Sequence, residues 1–118
     1  MLPTEILMLG LSLNVTDRDF NEKVINSPLP TLLFCWAPWC PSCQSMMPAI
    51  DQLATTLKGK LRVCKLNMDQ NPTIASRFNI MAAPTTLIFD NGHLQQTVPG
   101  ALPPAQLMQA IQPHLYQS

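Results

Sequence analysis

Residues 32–36 read Leu-Leu-Phe-Cys-Trp, an apolar run without a polar interruption, set between Pro30 and Pro38. Short, bounded by prolines and apolar at every position, it suits a central strand covered on both faces, as strands of parallel sheets are. Such a strand needs parallel neighbours, and parallel neighbours need helical crossovers, so this one segment already points to an α/β chain.

The remaining pattern fits that frame. Leu11, Leu13 and Val15 alternate with polar neighbours and predict a short strand. Thr16 and Asp17 offer an N-cap to a helix over about residues 19–25, with Phe20 and Val24 one turn apart on its apolar face. Beyond the central strand, residues 37–41 form a turn and a helix follows over about residues 42–57. Its Met46, Ile50, Leu53 and Leu57 share one face, Pro48 should kink it, and Gly59 suits the left-handed position past its end. Residues 61–67 predict a strand with Leu61, Val63 and Lys65 on one face and Arg62, Cys64 and Leu66 on the other. A short helix over about residues 72–78 leads to a further apolar strand, 85–89. Asp90-Asn91-Gly92 is a hairpin turn and residues 93–98 are the returning strand. Pro103-Pro104 opens a last helix with Leu107, Ile111 and Leu115 on its buried stripe. The order β-α-β-α-β-α-β-β-α gives a central mixed β-sheet flanked by helices on both faces. Residues 1–10 read as an N-terminal extension and residues 11–118 as a single domain.

A chain of 118 residues buries enough core to need no disulfide staples. Lys+Arg 7 balances Asp+Glu 7, and charged residues make up only 12%, which argues against electrostatic binding to nucleic acid or to a membrane surface. No stretch approaches the roughly 20 apolar residues of a membrane span. Residues 1–13 lack a basic start and are broken by Glu5, so they read poorly as a secretory signal, and a cytoplasmic location is expected. Four cysteines in a reducing compartment are catalytic, metal-binding or simply buried rather than structural bridges.

Two of them form Cys40-Pro41-Ser42-Cys43, between the central strand and the start of a helix. Cysteines at that spacing can close a small disulfide. The first lies near the unpaired N–H groups and positive dipole end of the helix, which stabilises a thiolate, the attacking species in disulfide exchange. Cys40, at the exposed end, then attacks a substrate disulfide, and Cys43, one turn into the helix, resolves the mixed disulfide. The competing reading is half of a zinc site. It lacks partners: Cys64 is a lone mid-strand cysteine, and His93 and His114 have no ligand spacing. Cys35 and Cys64 read as buried free thiols, or as a second thiol pair without a motif.

The segment from Phe34 to Cys43 resembles the active-site segment of the thioredoxin family. So do Pro48 in the following helix, the stretch from Lys65 to Pro72, Ala83-Pro84-Thr85, the Asn91-Gly92 turn and Gly100-Ala101, in the same order. The resemblance runs from about Leu13 to the C-terminus. It implies a thioredoxin fold and a redox-active Cys40–Cys43 disulfide with no other cofactor or metal. It also implies protein disulfides as substrates, a reductase as electron donor and a monomer. Pro84 should be cis beside the cysteines. Ala83 should pair with the substrate backbone, and Trp39, Pro84 and Gly100 should form an apolar patch around the sulfur. Trp36 should brace the turn from below.

Three departures bear on activity. Pro41-Ser42 stands where the family usually has Gly-Pro, and that pair tunes the redox potential, so a less reducing protein is expected. Phe34 stands where the family has a buried Asp near the lysine matched by Lys65. Lys65 is then either partly buried without a partner, its pKa depressed by desolvation, or directed out to solvent at the strand end. Gln44 and Pro99 replace a basic and a small apolar residue in the expected docking surface. These departures keep a second reading open, a thioredoxin-like binding or redox-sensing module with poor turnover.

Overall fold

The computed structural model describes residues 10–115. Its strands are β1 (Leu13–Val15), β2 (Thr31–Trp36), β3 (Arg62–Asn67), β4 (Thr85–Asp90) and β5 (His93–Pro99). Its helices are α1 (Asn21–Ile25), α2 (Pro41–Thr56), α3 (Pro72–Arg77) and α4 (Pro104–Ile111). The strands form one sheet in the order β1-β3-β2-β4-β5. β3 runs parallel to β1 and β2, and β4 antiparallel to β2 and β5, so the sheet is mixed as the sequence predicts.

β2 is central and covered on both faces because its side chains alternate between two cores. Leu32 and Phe34 join a cluster with Met46 and Ile50 of α2 and Leu107 and Ile111 of α4. Leu33 and Cys35 join a second with Phe20 and Val24 around α1 and Ile74 of α3. A side chain of this size contributes roughly 1.5–3 kcal/mol on full burial, and here consecutive residues all do so. The Asn91-Gly92 turn joins β4 to β5 with φ of 52° and 77°, the positive values that a two-residue hairpin loop requires. Gly59, just past α2, has φ 78°, matching the expected left-handed position.

Several boundaries differ from expectation. Leu11 is exposed and outside β1, because only Leu13 to Val15 find partners on β3. α1 begins later than residue 19 and is of π type, with the Asn26 N–H donating to the Asn21 carbonyl five residues back at 2.9 Å. Of the predicted extension, residues 1–9 lie outside the described residues, while Gly10 is buried against α2. α4 ends at Ile111, and a 3₁₀ turn, Gln112–His114, brings Leu115 back onto the first core.

The two candidate caps divide their work. Thr16 and Asp19 cap one another reciprocally: the Asp19 N–H donates to Thr16 Oγ1 at 3.3 Å and the Thr16 N–H to Asp19 Oδ1 at 2.7 Å. Asp17 instead caps α3, accepting from the Thr73 and Ile74 N–H groups at 3.1 and 2.9 Å. Its own N–H donates to Asn71 Oδ1 at 2.8 Å. Asp17→Ala strips α3 of this cap and should cost about 1–2 kcal/mol. The urea midpoint checks it, and an unshifted midpoint would show the cap to be dispensable.

Candidate active site

The strand β2 delivers the chain to a tight turn, in which the Cys40 N–H donates to the Ala37 carbonyl at 3.2 Å. The Met68 N–H donates to the Trp36 carbonyl at 2.8 Å, anchoring the end of β2 to the loop after β3. Trp36 itself is half-buried against the first core, consistent with a bracing role. Cys40 is the N-cap of α2, in extended conformation, and Pro41 occupies the first helical position, where a missing N–H costs nothing. A helix start leaves N–H groups unpaired, and here one of them finds sulfur: the Cys43 N–H donates to Cys40 Sγ at 3.1 Å. The Ser42 hydroxyl lies 3.4 Å from the same sulfur.

Cys40 and Cys43 are joined as a disulfide, with Cα atoms 5.3 Å apart. Cys40 is 3% exposed and Cys43 0%. Both residues are therefore buried in the disulfide form, Cys40 by slightly less.

The other predicted residues converge from separate elements. The Ala83–Pro84 peptide is cis, directly before β4, whose first residue Thr85 pairs with Cys35 of β2. The Thr85 hydroxyl donates to the Ala82 carbonyl at 2.6 Å and closes that turn. Ala83 packs against the core cluster that contains both cysteines. The Gly100 N–H donates to the Pro84 carbonyl at 2.8 Å, fastening the loop before α4 to the cis-proline segment. Trp39 is 66% exposed, its Nε1–H donating to Asp69 Oδ1 at 3.3 Å, so it lies on the surface and not in the core. Met81, two residues before Ala83, is 86% exposed, an apolar surface side chain that no sequence motif marks.

Phe34 is fully buried in the apolar cluster with Cys40 and Cys43, and among the described residues no Asp, Glu or Lys is buried. Lys65 is its neighbour across the β2–β3 register. The expectation of a partnerless Lys65 is corrected: its Nζ pairs with Asp51 Oδ1 of α2 at 3.2 Å, and Asp51 also accepts from the Ser12 hydroxyl at 2.8 Å. With no acid at position 34, the amine extends to the exposed flank of α2, as the outward-directed alternative had it. Asp51 carries no motif signal, since it reads as an ordinary polar position on the helix surface.

Cys35 and Cys64 are buried free thiols. Burial pushes both up to about 12; for Cys64 the nearby Arg62 and Lys23 charges pull weakly the other way. Below that value they are neutral thiols and poor nucleophiles. The reduced native protein should therefore be alkylated only within the Cys-Pro-Ser-Cys motif at pH 8, with Cys35 and Cys64 reacting only after denaturation. Rapid native labelling of either, read by peptide mass spectrometry, would contradict their burial. Among the described residues no group of His, Cys, Asp and Glu could hold a metal ion, and no helix is long and apolar enough to cross a membrane.

Two linked sulfurs at a strand–helix junction can accept electrons from a dithiol and, once reduced, pass them to a disulfide, and the chain is a thiol–disulfide oxidoreductase. It belongs to the thioredoxin family, whose profile matches residues 12–113. It is 48% identical over 101 residues to a thioredoxin of Griffithsia pacifica, covering 86% of this chain and 93% of that one. To thioredoxin 1 of Nostoc sp. it is 38% identical over 107 residues, covering 91% and 100%. To a thioredoxin of Haemophilus influenzae it is 40% identical over 103 residues, covering 87% and 96%.

Proposed function

We propose that this chain reduces protein disulfides, with Cys40 as nucleophile and Cys43 as resolving thiol, and that it is less reducing than ordinary thioredoxins. The observation that carries the reading is the environment of Cys40 Sγ, which faces the Cys43 N–H at 3.1 Å and the Ser42 hydroxyl at 3.4 Å at the head of a 16-residue helix.

In the reduced protein those two donors and the helix dipole stabilise a Cys40 thiolate. The thiolate attacks one sulfur of the substrate disulfide; a Cys40–substrate disulfide forms, and the other substrate sulfur leaves as a thiolate and takes a proton. Cys43 then gives up its proton, its sulfur attacks Cys40 Sγ, and the second substrate sulfur departs. The substrate gains two electrons and two protons, and the chain is left with the Cys40–Cys43 disulfide. A reductase or small dithiol returns the electrons. Trp39, Ala83, Pro84 and Gly100 bind the substrate around the sulfur, the free backbone of Ala83 pairing with the substrate chain. Pro41, Ser42, Phe34 and Lys65 tune the couple. No metal or further cofactor enters this scheme. The balanced charge supports neither nucleic acid nor membrane as a partner, and the reading includes a cytoplasmic monomer.

The potential follows from which form is stabilised. A donor to the thiolate favours the reduced form, and a stabilised reduced form makes the disulfide the better oxidant. Thioredoxins as a class sit at about −270 mV. Ser42→Ala removes one donor and should make the protein more reducing by roughly 30 mV, the equivalent of one 1.4 kcal/mol hydrogen bond. An unchanged potential would remove the hydroxyl from the account.

Phe34 favours the second reading, a thioredoxin-like binding or redox-sensing module, because among the described residues no Asp or Glu is buried to take the Cys43 proton. Turnover of a protein disulfide with dithiothreitol as donor separates the two. Sustained catalytic reduction supports the oxidoreductase reading. A single stoichiometric event that stalls as mixed disulfide supports the module.

A further inference from the structure

Among the described residues the methionines are Met46, Met47, Met68, Met81 and Met108, and all but one are sheltered. Met46 is buried, and its sulfur accepts the Leu102 N–H at 3.4 Å. Met47 and Met108 pack against the first core and Met68 against the second. Met81 is the exception, more exposed than any other large apolar side chain among the described residues.

The backbone holds it there. Ile80 is buried and its N–H donates to the Ala75 carbonyl at 2.8 Å, so the chain is pinned just before Met81. Just beyond, the Thr85 hydroxyl closes its turn on the Ala82 carbonyl, and Ala83 packs against the cluster that contains Cys40 and Cys43. Met81 and Ala82 bridge these anchors on the outside. Two residues of chain span at most roughly 7 Å, so the Met81 backbone lies within that distance of Ala83 and its cis peptide. A side chain needed there only as apolar surface could be leucine. Methionine differs in its sulfur, a thioether that hydroperoxides oxidise where they can reach it. The other sulfurs are poorly placed to compete. Cys40 and Cys43 are already joined in the oxidised chain, and Cys35 and Cys64 are buried thiols.

We propose that Met81 is a peroxide-modification site whose oxidation turns down substrate docking. A hydroperoxide transfers one oxygen to the Met81 thioether: the O–O bond breaks, an S–O bond forms, and the remainder leaves as water or an alcohol, keeping its proton. The sulfur loses two electrons and the peroxide gains them. The resulting sulfoxide is polar, so a substrate chain laid along Ala83 must strip water from it without replacing the hydrogen bond. This adds regulation to the site proposed above and rests on Cys40 as the attacking sulfur and Ala83 as the residue that meets the substrate chain.

The test treats the disulfide form with hydrogen peroxide, removes the peroxide and maps the peptides by mass spectrometry. Met81 should gain oxygen roughly tenfold faster than the buried Met46. The treated protein is then assayed with dithiothreitol as donor, which reduces Cys40 and Cys43 and leaves a sulfoxide in place. For a disulfide-linked peptide, kcat/KM should fall about tenfold, chiefly through KM, a 1.4 kcal/mol loss of docking. For oxidised glutathione, which carries little chain to dock, it should change less than about twofold. Met81→Leu, compared with itself before and after peroxide, should show no loss, which separates Met81 from every other oxidised residue. Oxidation of Met81 no faster than that of Met46 overturns the proposal. So does an unchanged kcat/KM once Met81 carries oxygen, an equal loss for both disulfides, or the same loss in Met81→Leu. If the untreated protein reduces neither disulfide, the role of Cys40 falls instead, and the peptide map still decides whether Met81 is the modified site.

Discussion

Replacing Cys40 with serine should lower protein-disulfide reduction by at least about three orders of magnitude, the scale on which a covalent nucleophile is lost. Cys43→Ser should behave differently, forming a covalent adduct with the substrate that does not resolve. The asymmetry follows from the geometry. Cys40 Sγ receives the Cys43 N–H and the Ser42 hydroxyl and keeps a sliver of exposure, while Cys43 is sealed in the core. On the proposed reading it is Cys40 that meets an incoming disulfide. Mass spectrometry of each variant after incubation with an oxidised substrate reads the outcome. An adduct on the Cys40→Ser protein and none on the Cys43→Ser protein would reverse the assigned roles.

Phe34→Asp should speed resolution of the mixed disulfide by about 10²-fold, the lower end of what a positioned general base contributes. It should also destabilise the fold by roughly 3–5 kcal/mol, because a fully buried ring is replaced by a smaller, desolvated acid. The neighbouring amine no longer helps that acid, since Lys65 is held by Asp51. Phe34→Asn removes the same ring without supplying a proton acceptor, so the difference between the variants isolates proton transfer from loosening of the core. Desolvation raises the pKa of the introduced carboxyl, so the gain should appear as pH rises and the acid ionises. Equal decay of the mixed disulfide in the two variants would mean that Phe34 does not limit resolution.

The fold was legible wherever a run of residues carried its own periodicity. The run from Leu32 to Trp36 announced a strand buried on both sides, and Leu32 and Leu33 indeed enter opposite cores. The long helix, the hairpin turn and the sheet's mixed character were equally local signals. The misses arose where a partner distant in sequence decided the outcome. Asp17 looked like a cap for the helix beginning a few residues on, yet its carboxylate serves α3, more than fifty residues away. For Lys65 the sequence leaves two outcomes open, because Phe34 stands where its partner acid would be, and no local pattern marks Asp51 as the partner it finds. The strand pattern puts Arg62 on the face of Cys64 and Leu66, but no local signal marks its near-complete burial, with Nη1 donating to the Lys23 carbonyl at 2.7 Å. The two cysteines were legible because their chemistry depends on spacing along the chain.

The central claim is that Cys40 and Cys43 form a working couple whose thiolate is unusually well stabilised by its helix start and by Ser42. Equilibrating the protein against a series of glutathione or dithiothreitol buffers, with the two thiols quantified by alkylation, measures that couple directly. The account predicts a single two-electron transition at a potential above the roughly −270 mV of ordinary thioredoxins. A transition at or below that value would contradict the stabilising role given to Ser42, and the absence of a reversible two-electron transition would contradict the couple itself.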